Sequence, residues 1–131
     1  EAQQARAKVV DEIATGRFKG ERKLTVGEYL PQWLERRERD GLRVSTARMY
    51  RRYVDQDILP ALGNVKLADL RRHHVDRFIQ ALVADGRGAT TVRRIHATLS
   101  SALSAAEKLD LVDMNAASKI ALPAQNRQRI T

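Results

Sequence analysis

An all-α fold is what this sequence predicts, and three observations carry the expectation. Apolar residues recur at helical spacing along nearly the whole chain, no stretch of period-two alternation is long enough for a strand, and Gly and Pro punctuate the periodic stretches. The 131 residues suffice for one compact domain with an accessory segment, but not for two substantial cores.

Residues 1–15 fit a polar helix with a thin apolar stripe of Ala2, Ala5, Val9 and Ile13, broken by Gly16 and Gly20 in "TGRFKGERK". This reads as a linker helix and a hinge. The next helix opens at Thr25 as N-cap, with Glu28 completing a capping-box pattern and Val26, Tyr29, Leu30, Trp33 and Leu34 on one face. Pro31 inside that pattern requires either a start near residue 29 or a kink. The charged run "ERRERDG" then carries the chain off at Gly41.

Ser45 is the expected N-cap of a helix that buries Ala47, Tyr50, Val54 and Ile58 and is closed by Pro60 and Gly63. A third core helix spans about 72–85 with Val75, Phe78, Ile79, Leu82 and Val83 inward, and ends at Gly86. The fourth starts at Thr90 or Thr91 and buries Val92, Ile95, Leu99, Ala102, Leu103 and Ala106. "LDLVDMNAASKIALP" reads as a turn, and "AQNRQRIT" as a polar tail or a linker. Four amphipathic helices with short connections make a small bundle.

Composition narrows the chemistry. Without cysteine there is no disulfide, thiolate metal site or cysteine nucleophile, and a reducing cytosolic setting is the simplest expectation. No apolar run approaches the roughly 20 residues a bilayer span needs, and "EAQQARAKVV" lacks the pattern of a secretory signal. The first residue is Glu1, so the chain reads as part of something longer. The formal charge of +8 favours a polyanionic partner, because clustered Lys and Arg displace counterions from phosphates. Residues 1–42 hold nine basic and eight acidic side chains, whereas 43–131 hold fifteen and eight, so the excess lies beyond the first third.

At 100° per residue, the face opposite the core on the second core helix is Ser45, Arg48, Met49, Arg52 and Gln56. On the fourth it is Thr90, Arg93, Arg94, Ala97, Ser101 and Ser104. Both faces are basic near their N-termini and lack acids, and the small side chains of Ala97, Ser101 and Ser104 admit a bulky surface. A helix N-terminus offers free N–H groups and a positive dipole end, to which hydroxyls and arginines add charge-assisted hydrogen bonds. Each feature alone has an ordinary explanation, as a cap or a solvated face. Their coincidence on two helices points to a duplex groove.

The phrases "LTVGEYLPQWLERR", "LRVSTARMYRRYVDQDILPALGNVKLADL", "HHVDRFIQAL" and "GATTVRRIHATLSSALSAAEKLDLVDMNAA", in this order, resemble the N-terminal SAM-like, core-binding domain of phage-type tyrosine recombinases (integrases). The match covers about residues 24–123. The preceding "DEIATGRF" resembles the linker that joins an upstream arm-site-binding domain, which makes 1–23 linker and hinge and 124–131 a link toward a catalytic domain. The resemblance implies a four-helix SAM-like bundle forming half of a clamp around double-stranded DNA of a core-type attachment site. It also implies other recombinase protomers as partners in a synaptic complex, with the helix that opens at Thr25 as a possible contact, and a bacterial cytoplasm, at the nucleoid, as the setting. The DNA-facing residues it implies are Arg43, Ser45, Thr46, Arg48 and Arg52, then Arg87, Thr90, Thr91, Arg93, Arg94 and Ala97.

The chain departs from the family where Val44 replaces a frequent Pro, where Arg71-Arg72 replace Ser/Thr-Pro, and where Asn115-Ala116 replace Asn-Pro. Two arginines at a helix N-terminus oppose the dipole and leave that helix without its usual cap. The family's tyrosine nucleophile and its Arg, His and Lys partners belong to a C-terminal domain whose motifs this chain lacks. Tyr29, Tyr50 and Tyr53 are therefore expected as core or core-edge aromatics, and no catalytic residue, cofactor or metal is expected. His73 and His74, adjacent on a helix, lack a third ligand nearby. His96 falls at the margin of a buried stripe, and "DGRGA" lacks the Lys-Ser/Thr of a phosphate loop. Two rival expectations stay open: a helical transcription-regulator domain of another kind, and a protein-interaction module.

Overall fold

The computed structural model describes residues 23–124. The expected linker helix at 1–15, most of the hinge and the tail from 125 onward lie outside the described residues. Helix α1 spans Val26–Arg39 and α2 spans Val44–Tyr53. A π-helical turn at Val54–Ile58 and a last α turn at Leu59–Leu62 continue α2. A 3₁₀ turn at Leu67–Asp69 leads to α3, Arg72–Ala84, and then to α4, Ala89–Lys108. Among the described residues there is no strand, only an isolated antiparallel bridge between Thr25 and Lys66.

The capping box at Thr25 forms in both directions: the Thr25 N–H donates to Glu28 Oε1 at 3.0 Å, and the Glu28 N–H donates to Thr25 Oγ1 at 3.1 Å. The next two donors of the first turn are satisfied by the chain beyond α2. The Val26 N–H reaches the Val65 carbonyl at 2.9 Å, and the Gly27 N–H reaches the Gly63 carbonyl at 3.0 Å. All four orphan N–H groups of α1 are thereby paired. The helix accordingly begins at Val26, not near residue 29, and Pro31 sits inside it on the exposed side. The cost is one backbone bond, the one Pro31 cannot donate to Gly27.

The inward residues expected on α1 are all buried. So are those on α4, where Thr98 joins them by donating its hydroxyl to the Arg94 carbonyl at 2.9 Å. α4 packs on α1, on α3 and on the α2 continuation, and so lies at the centre of the bundle. Tyr29 ties α1 to it: the hydroxyl donates to the Ala102 carbonyl at 2.7 Å, and burial pushes the phenol up to about 12. Trp33 stacks on Tyr50 with ring centroids 5.6 Å apart.

Several expectations need correction. α2 starts at Val44 with Arg43 at the cap position, so Ser45 is its second helical residue and caps nothing. α4 starts at Ala89 after Gly88, ahead of Thr90 and Thr91. Val83 is 42% exposed: it lies roughly 80° from Val75 around the helix, outside the narrower stripe of Val75, Phe78, Ile79 and Leu82. Met49 was placed on the outer face, yet it is half-buried against the core. The buried arc of α2 reaches round to Tyr53, and an unbranched thioether beside that arc folds onto it. Finally, of the two expected stops, Pro60 does not end the helix and Gly63 does. The π turn, with the Leu59 N–H bonded to the Val54 carbonyl, widens the helix ahead of the proline ring, which then continues for one more turn to Leu62.

Three helices end alike. The residue after the cap is left-handed, Gly41 at φ 100°, Gly86 at φ 84° and Asp110 at φ 61°, and the following N–H returns to the last turn. Leu42 bonds Arg37, Arg87 bonds Leu82 and Leu111 bonds Ala106, the Schellman arrangement. Asp110 alone lacks the glycine that this conformation favours, and its charge sits at the negative end of α4. We expect Asp110→Gly to stabilise the domain by about 0.5–1 kcal/mol in urea unfolding. Gly63→Ala should do the reverse: a Cβ there would lie 2.6 Å from the Leu59 carbonyl oxygen, and the expected loss is about 1–3 kcal/mol.

Candidate nucleic-acid interface

The starts of α2 and α4 are built alike and unlike the start of α1. Neither has a side-chain cap, neither has an acid in its first turn, and each carries two hydroxyls there: Ser45 and Thr46 on α2, Thr90 and Thr91 on α4. The first intrahelical bonds are Ala47 N–H to Arg43 and Val92 N–H to Gly88, both at 2.9 Å, so the preceding N–H groups are left for water or a ligand. Ser45 and Thr90 are exposed, while Thr46 and Thr91 are half-buried. Val44, at the first position of α2, is 72% exposed.

The arginines expected to face DNA divide into two groups. Arg43, Arg48, Arg52 and Arg94 are exposed and make no ion pair or side-chain hydrogen bond with a described residue. The other two are tied inside the molecule. Arg87 holds Asp57 of the π turn, Nη1 to Oδ1 at 2.6 Å and Nη2 to Oδ2 at 3.4 Å, and this bond raises its pKa further. Arg93 donates Nε–H to the Pro123 carbonyl at 2.8 Å. The Arg87–Asp57 bond draws the start of α4 against the α2 continuation. The acid-free surface of α2 ends at exposed Asp55, three residues after Arg52.

Ala97 is exposed, and with Ser101 and Ser104 it lines an open groove of about 1320 Å³ between α4 and α1, whose other wall includes Gln32, Arg36 and Arg37. Nearby Arg51 pairs with Glu38 at 3.3 Å, and Arg39 with Glu35 at 3.8 Å. Tyr29 and Tyr53 are buried and Tyr50 half-buried, as expected of core and core-edge aromatics. Among the described residues no group of three potential metal ligands occurs. None of their helices is long and apolar enough to cross a membrane.

The histidines take structural roles. His96, half-buried, places Nε2 2.7 Å from the Ala117 carbonyl. His73 and His74 bring their ring centroids to 4.2 Å, and His74 Nδ1 accepts the Arg71 N–H at 2.9 Å. An imidazole at the third helical position thus serves where a capping box has Glu or Gln. The sequence held that signal, His three residues after the cap position. Arg71 and Arg72, unfavourable beside the dipole, are engaged with carbonyls: Arg71 Nη1 with Ala68 and Arg72 Nε with Ser118, each at 2.9 Å.

Residues 25–83 match the family model for the phage integrase N-terminal SAM-like domain. Among solved structures, the integrase-like domain from Bacillus cereus is similar at 31% identity and TM-score 0.74, covering 84% of this chain and 92% of its own. The phage integrase SAM-like domain from Moorella thermoacetica is similar at 29% identity and TM-score 0.68, covering 79% and 89%. A lambda integrase tetramer bound to a Holliday junction shares the fold at 17% identity and TM-score 0.76, over 88% of this chain and 34% of that one. No curated protein sequence matches the chain significantly.

The His74 cap makes stability depend on pH. Burial, then the neighbouring charges of His73 and Arg77, hold its pKa below the ordinary 6.5. The unfolded chain therefore binds the proton first. The contribution is complete above pH 6.5 and falls as pH drops from there toward the lowered value, where it is lost. His74→Gln, which keeps an acceptor without titrating, should show a flatter decline of unfolding free energy over that window than the wild type.

Proposed function

This chain belongs to the phage integrase N-terminal SAM-like domain family, and we propose that it grips the core-type attachment-site DNA of a tyrosine site-specific recombinase during integration and excision. The observation that carries the proposal is the pair of uncapped, acid-free helix starts, on α2 and α4, beside four exposed arginines that have no partner among the described residues. Such groups recognise phosphate: the N–H groups and hydroxyls orient it, and the guanidinium forks bind it in pairs. Phosphate contacts would set register, leaving Ser45, Thr46 and Thr90 near base edges. Support comes also from lambda integrase, a protein of the same fold solved as a tetramer on a Holliday junction and as a dimer on a core site. By the same reasoning, the partners of the whole protein are duplex DNA and further recombinase protomers.

In this reading the domain runs over 24–123, the preceding residues form a linker from an upstream domain, and 124–131 lead toward a catalytic domain that breaks and rejoins DNA strands. The domain itself holds DNA and performs no strand chemistry. The surface also argues against a protein-interaction module: among the described residues the large exposed apolar ones, Val44, Val83, Leu109 and Met114, are spread over α2, α3 and the segment after α4.

Removing Arg52 or Arg94 should weaken binding to every duplex sequence and lower the slope of log K against log salt by about one phosphate equivalent each. Arg87→Ala should leave that slope nearly unchanged, because Asp57 already matches its charge. Fluorescence anisotropy with a short duplex at several salt concentrations gives the slopes. Unchanged slopes for both Arg52→Ala and Arg94→Ala would sink the assignment.

A further inference from the structure

The chain does not leave the bundle freely after α4. Over residues 109–124 it turns back across the helices, with Ala116 and Ala117 buried and Leu111, Val112, Ile120 and Leu122 packed against the core. Asn115 Nδ2 donates to the Ser100 carbonyl at 3.0 Å. Three further side chains hold backbone oxygens of this strap: Arg72 that of Ser118, His96 that of Ala117 and Arg93 that of Pro123. The first two fix its middle. Arg93 fixes its far end, at the last residues before the chain continues onward.

Arg93 uses one N–H, on Nε, for Pro123, and its four Nη hydrogens have no partner among the described residues. It stands one helical turn from exposed Thr90 on one side and exposed Ala97 on the other. One edge of the guanidinium therefore faces the strap while the other borders the open row of α4. Its neighbour Arg94 is exposed, and its side chain makes no hydrogen bond to the strap over 109–124.

We infer that Arg93 is a positioning residue that couples DNA contact to the path of the departing chain: Nε–H keeps the Pro123 carbonyl while the Nη hydrogens take a backbone phosphate. This rests on the DNA-binding reading above. With both edges engaged, the exit direction is set relative to the duplex, and so is whatever follows it in the protein. Lysine, a point charge on a flexible stem, keeps the attraction to phosphate but has no second edge to offer.

The test follows the backbone heteronuclear NOE at Leu122 and Ala124 in the 131-residue chain, without DNA and with a saturating short mixed-sequence duplex at low salt. In the wild type the NOE at these amides should rise on duplex addition. Arg93→Lys, at whatever duplex concentration saturates it, should show no such rise. Arg94→Ala should bind more weakly but show the full rise at saturation. A wild-type rise preserved in Arg93→Lys, or binding by the wild type with an unchanged exit segment, overturns the coupling and leaves the DNA reading standing. A wild type that binds no duplex at all overturns both.

Discussion

The bundle hangs on the place where the first turn of α1 meets the end of α2. Two backbone carbonyls, of Gly63 and Val65, accept the N–H groups of Gly27 and Val26, while the Leu67 N–H returns to the Leu24 carbonyl at 2.8 Å. Such a backbone-to-backbone approach leaves no room for side chains, which is why glycine stands on both sides of it: a Cβ on Gly27 would come within 3.0 Å of the Gly63 oxygen. Once α1 is anchored there, its apolar face is aimed at α4, and Tyr29 meets the Ala102 carbonyl. The capping box removes the remaining orphan donors, so this helix end is closed to solvent and to ligands.

Closure at one helix start gives meaning to openness at two others. α2 and α4 begin without side-chain caps although hydroxyl residues stand within reach, because Ser45 and Thr90 fall inside the helices and not at the cap positions. Stability alone would favour a cap, which contributes about 1 kcal/mol. The charges show a similar division of labour. Arg51, Arg71, Arg72, Arg87 and Arg93 are spent on internal acceptors, and Arg43, Arg48, Arg52 and Arg94 remain outward. The net charge of +8 already subtracts the paired acids, so it is the location of the arginines without an acceptor among the described residues, more than the total, that carries information.

Much of this was legible in the sequence because its physics is local. The Thr25–Glu28 box, the apolar stripes of α1 and α4 and the glycine stops at 41 and 86 depend on spacings of three and four residues, which a helix converts directly into contacts. What stayed hidden depends on tertiary neighbours. Nothing at Val54–Ile58 announces a π turn except the proline that follows it, and the burial of Met49 needs the position of Tyr53. Arg87 and Arg93 look like any outward arginine until Asp57 and Pro123 are brought to them across thirty residues. Among the candidate DNA-facing residues, sequence reading thus placed the faces but could not sort their arginines into tied and free.

The contact between Tyr29 and Ala102 spans 73 residues, and the strap that crosses α4 comes later still. During synthesis α1, α2 and α3 emerge before α4, the helix on which each of them packs, and so lack part of their core until it leaves the ribosome. The complete core of this domain can accordingly form on the translating ribosome only once α4 is out. The stretch 25–83 that matches the family model leaves out α4, and with it a large part of the core. A nascent chain halted before α4 would present a sticky three-helix surface to chaperones, and its release into the native state would wait on the last twenty-residue helix.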